Sequence, residues 1–131
     1  MANEDIWLMI VETDLVARHP LAEYLRQCGY KVLEASNSDE AMTLLTRAKV
    51  AISIVLCDVR SPGKVDGFGL ARWLRENQPQ IQVILAGSMA RAAEKAGDLC
   101  EDGPLLAKPY DHALLLDRIK RLLAARDRNR S

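Results

Sequence analysis

A chain of 131 residues is the length of one domain, and 49% hydrophobic residues are enough to build a core, which argues against disorder. Lysine plus arginine and aspartate plus glutamate stand at 18 each, so bulk charge does not select nucleic acid or an anionic membrane as partner. No apolar stretch reaches the length of a membrane span, and the start Met1-Ala2-Asn3-Glu4-Asp5 is acidic, so neither anchor nor signal peptide is expected.

The first apolar run, Ile6 to Val11, reads as a strand and ends on Glu12. A helix follows with Leu21, Leu25 and Cys28 on one face. Pro20 lacks a backbone donor, so this helix is expected to start late or kink there, and Gly29 stops it. Lys31 to Ala35 is the second strand. Ser38 is the expected N-cap of the second helix, whose apolar stripe is Ala41, Leu44, Leu45 and Ala48. The third strand, Ile52 to Cys57, is short, apolar and β-branched, as a buried parallel strand is, and Asp58 closes it. A third helix is predicted over Phe68 to Asn77, a fourth strand over Ile81 to Ala86 and an alanine-rich helix over Ala90 to Leu99. Asp102-Gly103-Pro104 is a turn before the fifth strand, Leu105 to Ala107, which ends on Lys108-Pro109. Asp111 caps a last helix to about Arg126, with Leu114, Leu115, Ile119, Leu122 and Leu123 inward.

Strands alternating with helices imply an α/β domain: a doubly wound parallel sheet covered on both faces. Five such units fit the flavodoxin-like order 2-1-3-4-5 with five flanking helices. That order sets the ends of strands one, three and five side by side. Glu12, Asp58 and Lys108 would then converge in one charged cleft, at the edge where open α/β sheets place their chemistry.

These residues resemble the receiver domain of two-component response regulators. The pieces that carry the resemblance are Ile10-Val11-Glu12, the block Asp58-Val59-Arg60-Ser61-Pro62-Gly63 with Asp66-Gly67 after it, and Leu106-Ala107-Lys108-Pro109-Tyr110. It covers about Ile6 to Leu123, with the domain bounded at 1–126 and a short basic tail at 127–131. The resemblance implies that Asp58 accepts a phosphoryl group from a histidine kinase or phosphotransfer protein. It further implies that Lys108 contacts the phosphoryl oxygens. Glu12, Asp58 and the backbone carbonyl of Arg60 would hold Mg²⁺, and the Lys108–Pro109 bond is a cis-peptide candidate. The chemistry is sound in itself: an aspartate can attack phosphorus, and the remaining work is positioning and charge neutralisation.

The sequence departs from the family pattern at four places. Thr13 stands where a second acid normally ligates the metal, with Asp14 one place later. A hydroxyl brings no charge, so weak Mg²⁺ binding is expected, and Thr13 can equally be a plain first residue of the helix. Ala86 takes the place of the switch hydroxyl on strand four. Ser88 could replace that hydroxyl only if the strand ran two residues further. Leu105 takes the place of the switch aromatic on strand five. The segment Gly63 to Gly67 is one residue longer than the usual turn.

Other classes fit less well. A flavin-binding flavodoxin needs a phosphate loop after strand one, but Glu12-Thr13-Asp14 repels phosphate. An aspartate-based phosphatase wants a second acid two residues after the nucleophile, and Arg60 stands there. The expectation is therefore no enzyme beyond phosphoryl self-transfer and autodephosphorylation. The rival is a degenerate receiver that binds partners without phosphorylation. His19 and His112 read as surface or capping residues, and the basic run from Arg118 to Arg130 as a solvated helix end rather than a nucleic-acid contact. Three scattered cysteines (Cys28, Cys57 and Cys100) read as reduced thiols, hence a cytoplasmic protein. The expected partners are the phosphoryl donor and a downstream protein on the face of helix four, strand five and helix five. The expected oligomeric state is a monomer or weak homodimer.

Overall fold

The computed structural model describes residues 6–88 and 105–130. Strands β1 (Trp7–Val11), β2 (Lys31–Ala35), β3 (Ile52–Asp58), β4 (Gln82–Gly87) and β5 (Leu106–Ala107) form one parallel sheet in the order β2-β1-β3-β4-β5. Helices α1 (Leu15–Gln27), α2 (Ser38–Arg47), α3 (Gly67–Asn77) and α4 (His112–Arg130) are the ones among the described residues. The expected strand order is observed. The helix predicted over 90–99 lies outside the described residues, as do Met1 to Asp5, Cys100 and the turn at 102–104.

Alternation along each strand divides the core into two layers. Leu8 and Ile10 of β1, Ile54 and Leu56 of β3 and Ile84 of β4 pack with Leu21 and Leu25 of α1 and Leu115, Ile119 and Leu123 of α4. Met9, Val11, Val55, Cys57 and Leu85 face the other way, onto Ala41 and Leu45 of α2 and Leu70, Ala71 and Leu74 of α3. Every central strand is thus apolar on both sides, which is why its sequence reads as a continuous apolar run. Two apolar layers also leave charged side chains no place except the strand ends.

The helix termini correct several expectations. α1 starts at Leu15, not late, because the Asp14 carboxylate accepts from the Val16 N–H at 3.0 Å and caps it. Pro20 sits inside α1 and deprives the Val16 carbonyl of its usual donor, but both residues are exposed, so water can serve that carbonyl. Gly29, at φ +100°, ends the helix as expected. The N-cap of α2 is Asn37 rather than Ser38: its side chain accepts from the Glu40 N–H at 2.8 Å, and Ser38 is the first helical residue. Ala48 is the C-cap of α2, not part of its stripe. Asp111 does cap α4 by accepting from the Leu114 N–H at 3.0 Å. Leu114 itself, expected inward, is 53% exposed, since it lies in the first turn one residue before the buried Leu115. α4 continues to Arg130, past the expected end at Arg126, and Arg126 donates to the Ser53 hydroxyl at 2.9 Å.

Candidate functional site

The alternation that buries Leu8 and Ile10 continues to Glu12, and the one that buries Ile54 and Leu56 continues to Asp58. In β4 it reaches Ala86, which is in register with Asp58, and in β5 it steps from Leu106 towards Lys108. Four side chains from four strand ends therefore face one point. Glu12 is 2% exposed and Asp58 9% exposed, both low values for carboxylates.

Their burial is offset by donors. Lys108 Nζ donates to Asp58 Oδ2 at 2.6 Å and to Glu12 Oε1 at 2.6 Å, bridging the two acids. Asp58 Oδ1 accepts from the Arg60 N–H at 2.9 Å. Glu12 Oε1 also accepts from the Tyr110 hydroxyl at 2.7 Å, and Oε2 from the Asp14 N–H at 3.0 Å. Burial alone would raise the Glu12 pKa, but Lys108, the Asp14 N–H and Tyr110 outweigh it and hold the carboxyl below its ordinary value. For Lys108 burial pulls the other way and Asp58 and Glu12 prevail, so the ammonium is held above its ordinary value. Burial and the Glu12 charge push the Tyr110 phenol up, so it stays a donor. Cys57, beside Asp58, is buried and its thiol is pushed up by burial and by the Asp58 charge, which makes it inert.

The backbone around Asp58 is held as firmly as its side chain. Val59 N–H donates to the Ala86 carbonyl at 2.8 Å and Ser61 N–H to the Asp58 carbonyl at 3.0 Å. Gly67 opens α3 directly against this segment: a Cβ there would lie 2.3 Å from the Asp58 carbonyl oxygen. The longer loop at 63–67 is tied back to α2, with the Lys64 N–H donating to Asp39 Oδ1 at 3.1 Å and Ser38 N–H to the Pro62 carbonyl at 3.0 Å. Gly63 allows this with φ +137°.

The remaining expected residues fall around this centre. Thr13 is exposed, and its hydroxyl donates to the Ser36 carbonyl at 2.8 Å. Asp14 is spent on capping α1. Ala86 is fully buried, and β4 ends one residue later than expected, at Gly87, so Ser88 lies just beyond the strand. Leu105 precedes β5 and packs against the α2–α3 layer. The Lys108–Pro109 peptide is cis. His19 pairs with Glu34 at 3.2 Å, and the His112 ring lies against Tyr24 with centroids 5.2 Å apart. Sequence reasoning missed the Tyr110 hydroxyl. Its position two residues after the lysine was visible, but its reach to Glu12 depends on the path of the chain after β5.

The acids' donor set suits a hard cation in kind, since both are carboxylates and all their donors are oxygen. In number it is thin. Among the described residues no group of three or more His, Cys, Asp or Glu gathers at one point. Mg²⁺ is usually held by one or two carboxylates and keeps several waters, so the two acids still fit it.

A family model, the response regulator receiver domain, matches residues 8–120. The transcriptional regulatory protein AruR of Pseudomonas aeruginosa is 31% identical over 119 residues, which are 88% of this chain and 48% of that protein. The sensor histidine kinase RcsC of Salmonella typhi is 31% identical over 129 residues, 94% of this chain and 12% of the kinase. The chain thus spans about half of one curated relative and a small part of the other. A response regulator receiver protein from Sinorhizobium medicae superposes with a TM-score of 0.82 at 27% identity, covering 94% of this chain and 98% of that one. The chain belongs to the response regulator receiver domain family of two-component systems. Members are generally signalling modules rather than enzymes, are phosphorylated by histidine kinases, and typically bind Mg²⁺ at the acidic pocket.

Proposed function

We propose that Asp58 is the phosphoacceptor of a receiver in a two-component phosphorelay. The observation that carries this reading is the Lys108 ammonium, 2.6 Å from both Asp58 and Glu12 at the strand ends. An Asp58 carboxylate oxygen attacks phosphorus, and the bond to the donor histidine nitrogen breaks with its electron pair leaving on the imidazole. Lys108 then turns its charge to the phosphoryl oxygens. Glu12, Asp58 and the Arg60 carbonyl would hold Mg²⁺, which supplies further neutralisation of the transferred charge. Thr13 adds at most a neutral ligand.

Exposed apolar side chains at the same end of the sheet support docking of a phosphoryl donor there. Leu15 is 59% exposed and Val16 81% in the first turn of α1, and Leu114 53% in the first turn of α4. The output surface of this reading is β5 and α4, together with the segment 90–99 for which the sequence predicts a helix, and the molecule works in the cytoplasm as a monomer or weak dimer without contacting nucleic acid. Its own chemistry is phosphoryl self-transfer and autodephosphorylation. Intact-protein mass after incubation with acetyl phosphate and Mg²⁺ tests the reading. One phosphoryl adduct on wild type, absent from Asp58→Ala, is expected; an adduct that survives the substitution, or none on either protein, refutes it.

A further inference from the structure

The Glu12 carboxylate is crowded in a way the pocket's chemistry does not require. Each carboxylate oxygen offers about two in-plane acceptor sites. Both sites on Oε1 are taken, by Lys108 at 2.6 Å and by Tyr110 at 2.7 Å. Oε2 holds the Asp14 N–H at 3.0 Å and keeps one site open. Asp58 keeps one site on each oxygen, since the Arg60 N–H and Lys108 take one apiece. Tyr110 does two things at once here. Its hydroxyl takes the second site on Glu12 Oε1, and its ring lies beneath the Lys108 ammonium, 5.5 Å from centroid to Nζ. Glu12 is almost wholly buried, so water does not compete for these sites as it would at a surface.

We infer that Tyr110 is a positioning residue that competes with Mg²⁺ for Glu12, so that the pocket's metal affinity is held down by a phenol hydroxyl as well as by the missing second acid. The inference rests on the reading of Glu12 and Asp58 as the metal-binding acids. A cation entering the pocket must either use the last site on Oε2 or displace the phenol from Oε1. Removing the hydroxyl opens a second site on the carboxylate without changing the pocket's charge.

The test is calorimetric titration of the full chain with Mg²⁺, wild type beside Tyr110→Phe, with thermal melting of both. The variant is expected to bind Mg²⁺ more tightly by roughly ten- to a hundred-fold, the weight of one hydrogen bond to a charged group. Melting should be unchanged or lower. A merely structural tyrosine would weaken binding when removed, so equal or weaker affinity in the variant overturns the inference. So does an absence of binding in both proteins. If the variant does not fold, ¹³Cζ resonances of the wild-type tyrosines decide. Tyr110 should shift on Mg²⁺ saturation while Tyr24 and Tyr30 stay still, and a stationary Tyr110 overturns the inference. The acetyl phosphate adduct on wild type reports separately on the underlying reading. An adduct with unchanged variant affinity removes the role of Tyr110 alone, whereas neither adduct nor binding removes both.

Discussion

At the scale of single residues, charge bookkeeping within the pocket explains its character. Two carboxylates and one ammonium leave a net charge of −1, where a second acid in place of Thr13 would leave −2. A divalent cation is attracted less by such a pocket, and Lys108 already stands between the two acids. A second ion cluster lies outside the pocket and has a simpler consequence. Glu34 accepts from Arg18 at 3.0 Å, from Arg26 at 3.1 Å and from His19 at 3.2 Å. Burial raises its carboxyl, but these partners prevail and hold it below 4.5. A carboxyl depressed in the folded state stabilises the fold at any pH above its unfolded value. That contribution is lost as pH falls through the folded value. Glu34→Gln is therefore expected to lose about 1 kcal/mol at neutral pH, since the pair is partly solvated. The gap to wild type should close below pH 4.5 in denaturant titrations at stepped pH. A gap that is constant with pH would contradict the assignment.

At the scale of elements, the site depends on how α3 meets β3. Gly67 begins α3 with its Cα against the Asp58 carbonyl, and the Gly67 N–H donates to the Val59 carbonyl at 3.1 Å. A methyl group there meets backbone, which cannot rotate away. Gly67→Ala is expected to cost about 1–3 kcal/mol and to slow phosphorylation of Asp58 by displacing its carbonyl. Chemical denaturation beside adduct kinetics checks this, and a variant that matches wild type in both would show that the α3 start is not tightly seated. Much of this element plan is legible in the sequence. Glu12, Asp58 and Lys108 stand out because each closes an apolar run, and the run is apolar because both of its faces are covered. The errors lie where two residues compete for one local role. Asn37 and Ser38 are both good caps, and Asn37 takes the role because its backbone is the extended residue before the first turn. Asp14 stands one place after the position of the missing second acid, and it is the cap that lets α1 begin before Pro20. Leu114 fits a helical stripe, yet the direction of the first turn leaves it in solvent. The Tyr110 contact with Glu12 joins residues 98 apart in the chain, and no local pattern carries that.

At the scale of the whole molecule, the question is how far a change at Asp58 travels. Ala86 lies in register with Asp58 and has no hydroxyl to draw towards a phosphoryl group, and Leu105 has no ring to rotate. Among the described residues, the side-chain path from the pocket towards β5 and α4 runs through Lys108 and Tyr110, beside the backbone ladder of β4 and β5. Amide NMR shifts on phosphorylation are expected to concentrate at 58–67 and around Lys108, with small shifts along α4. Large shifts throughout α4 would contradict that expectation. Everything at this scale rests on which residue accepts the phosphoryl group. The most direct test is reduction of the phosphorylated protein with borohydride, which converts an acyl phosphate to an alcohol, followed by peptide mapping. Homoserine is expected at position 58 and at no other aspartate. An unmodified Asp58, or reduction at a different acid, would contradict it.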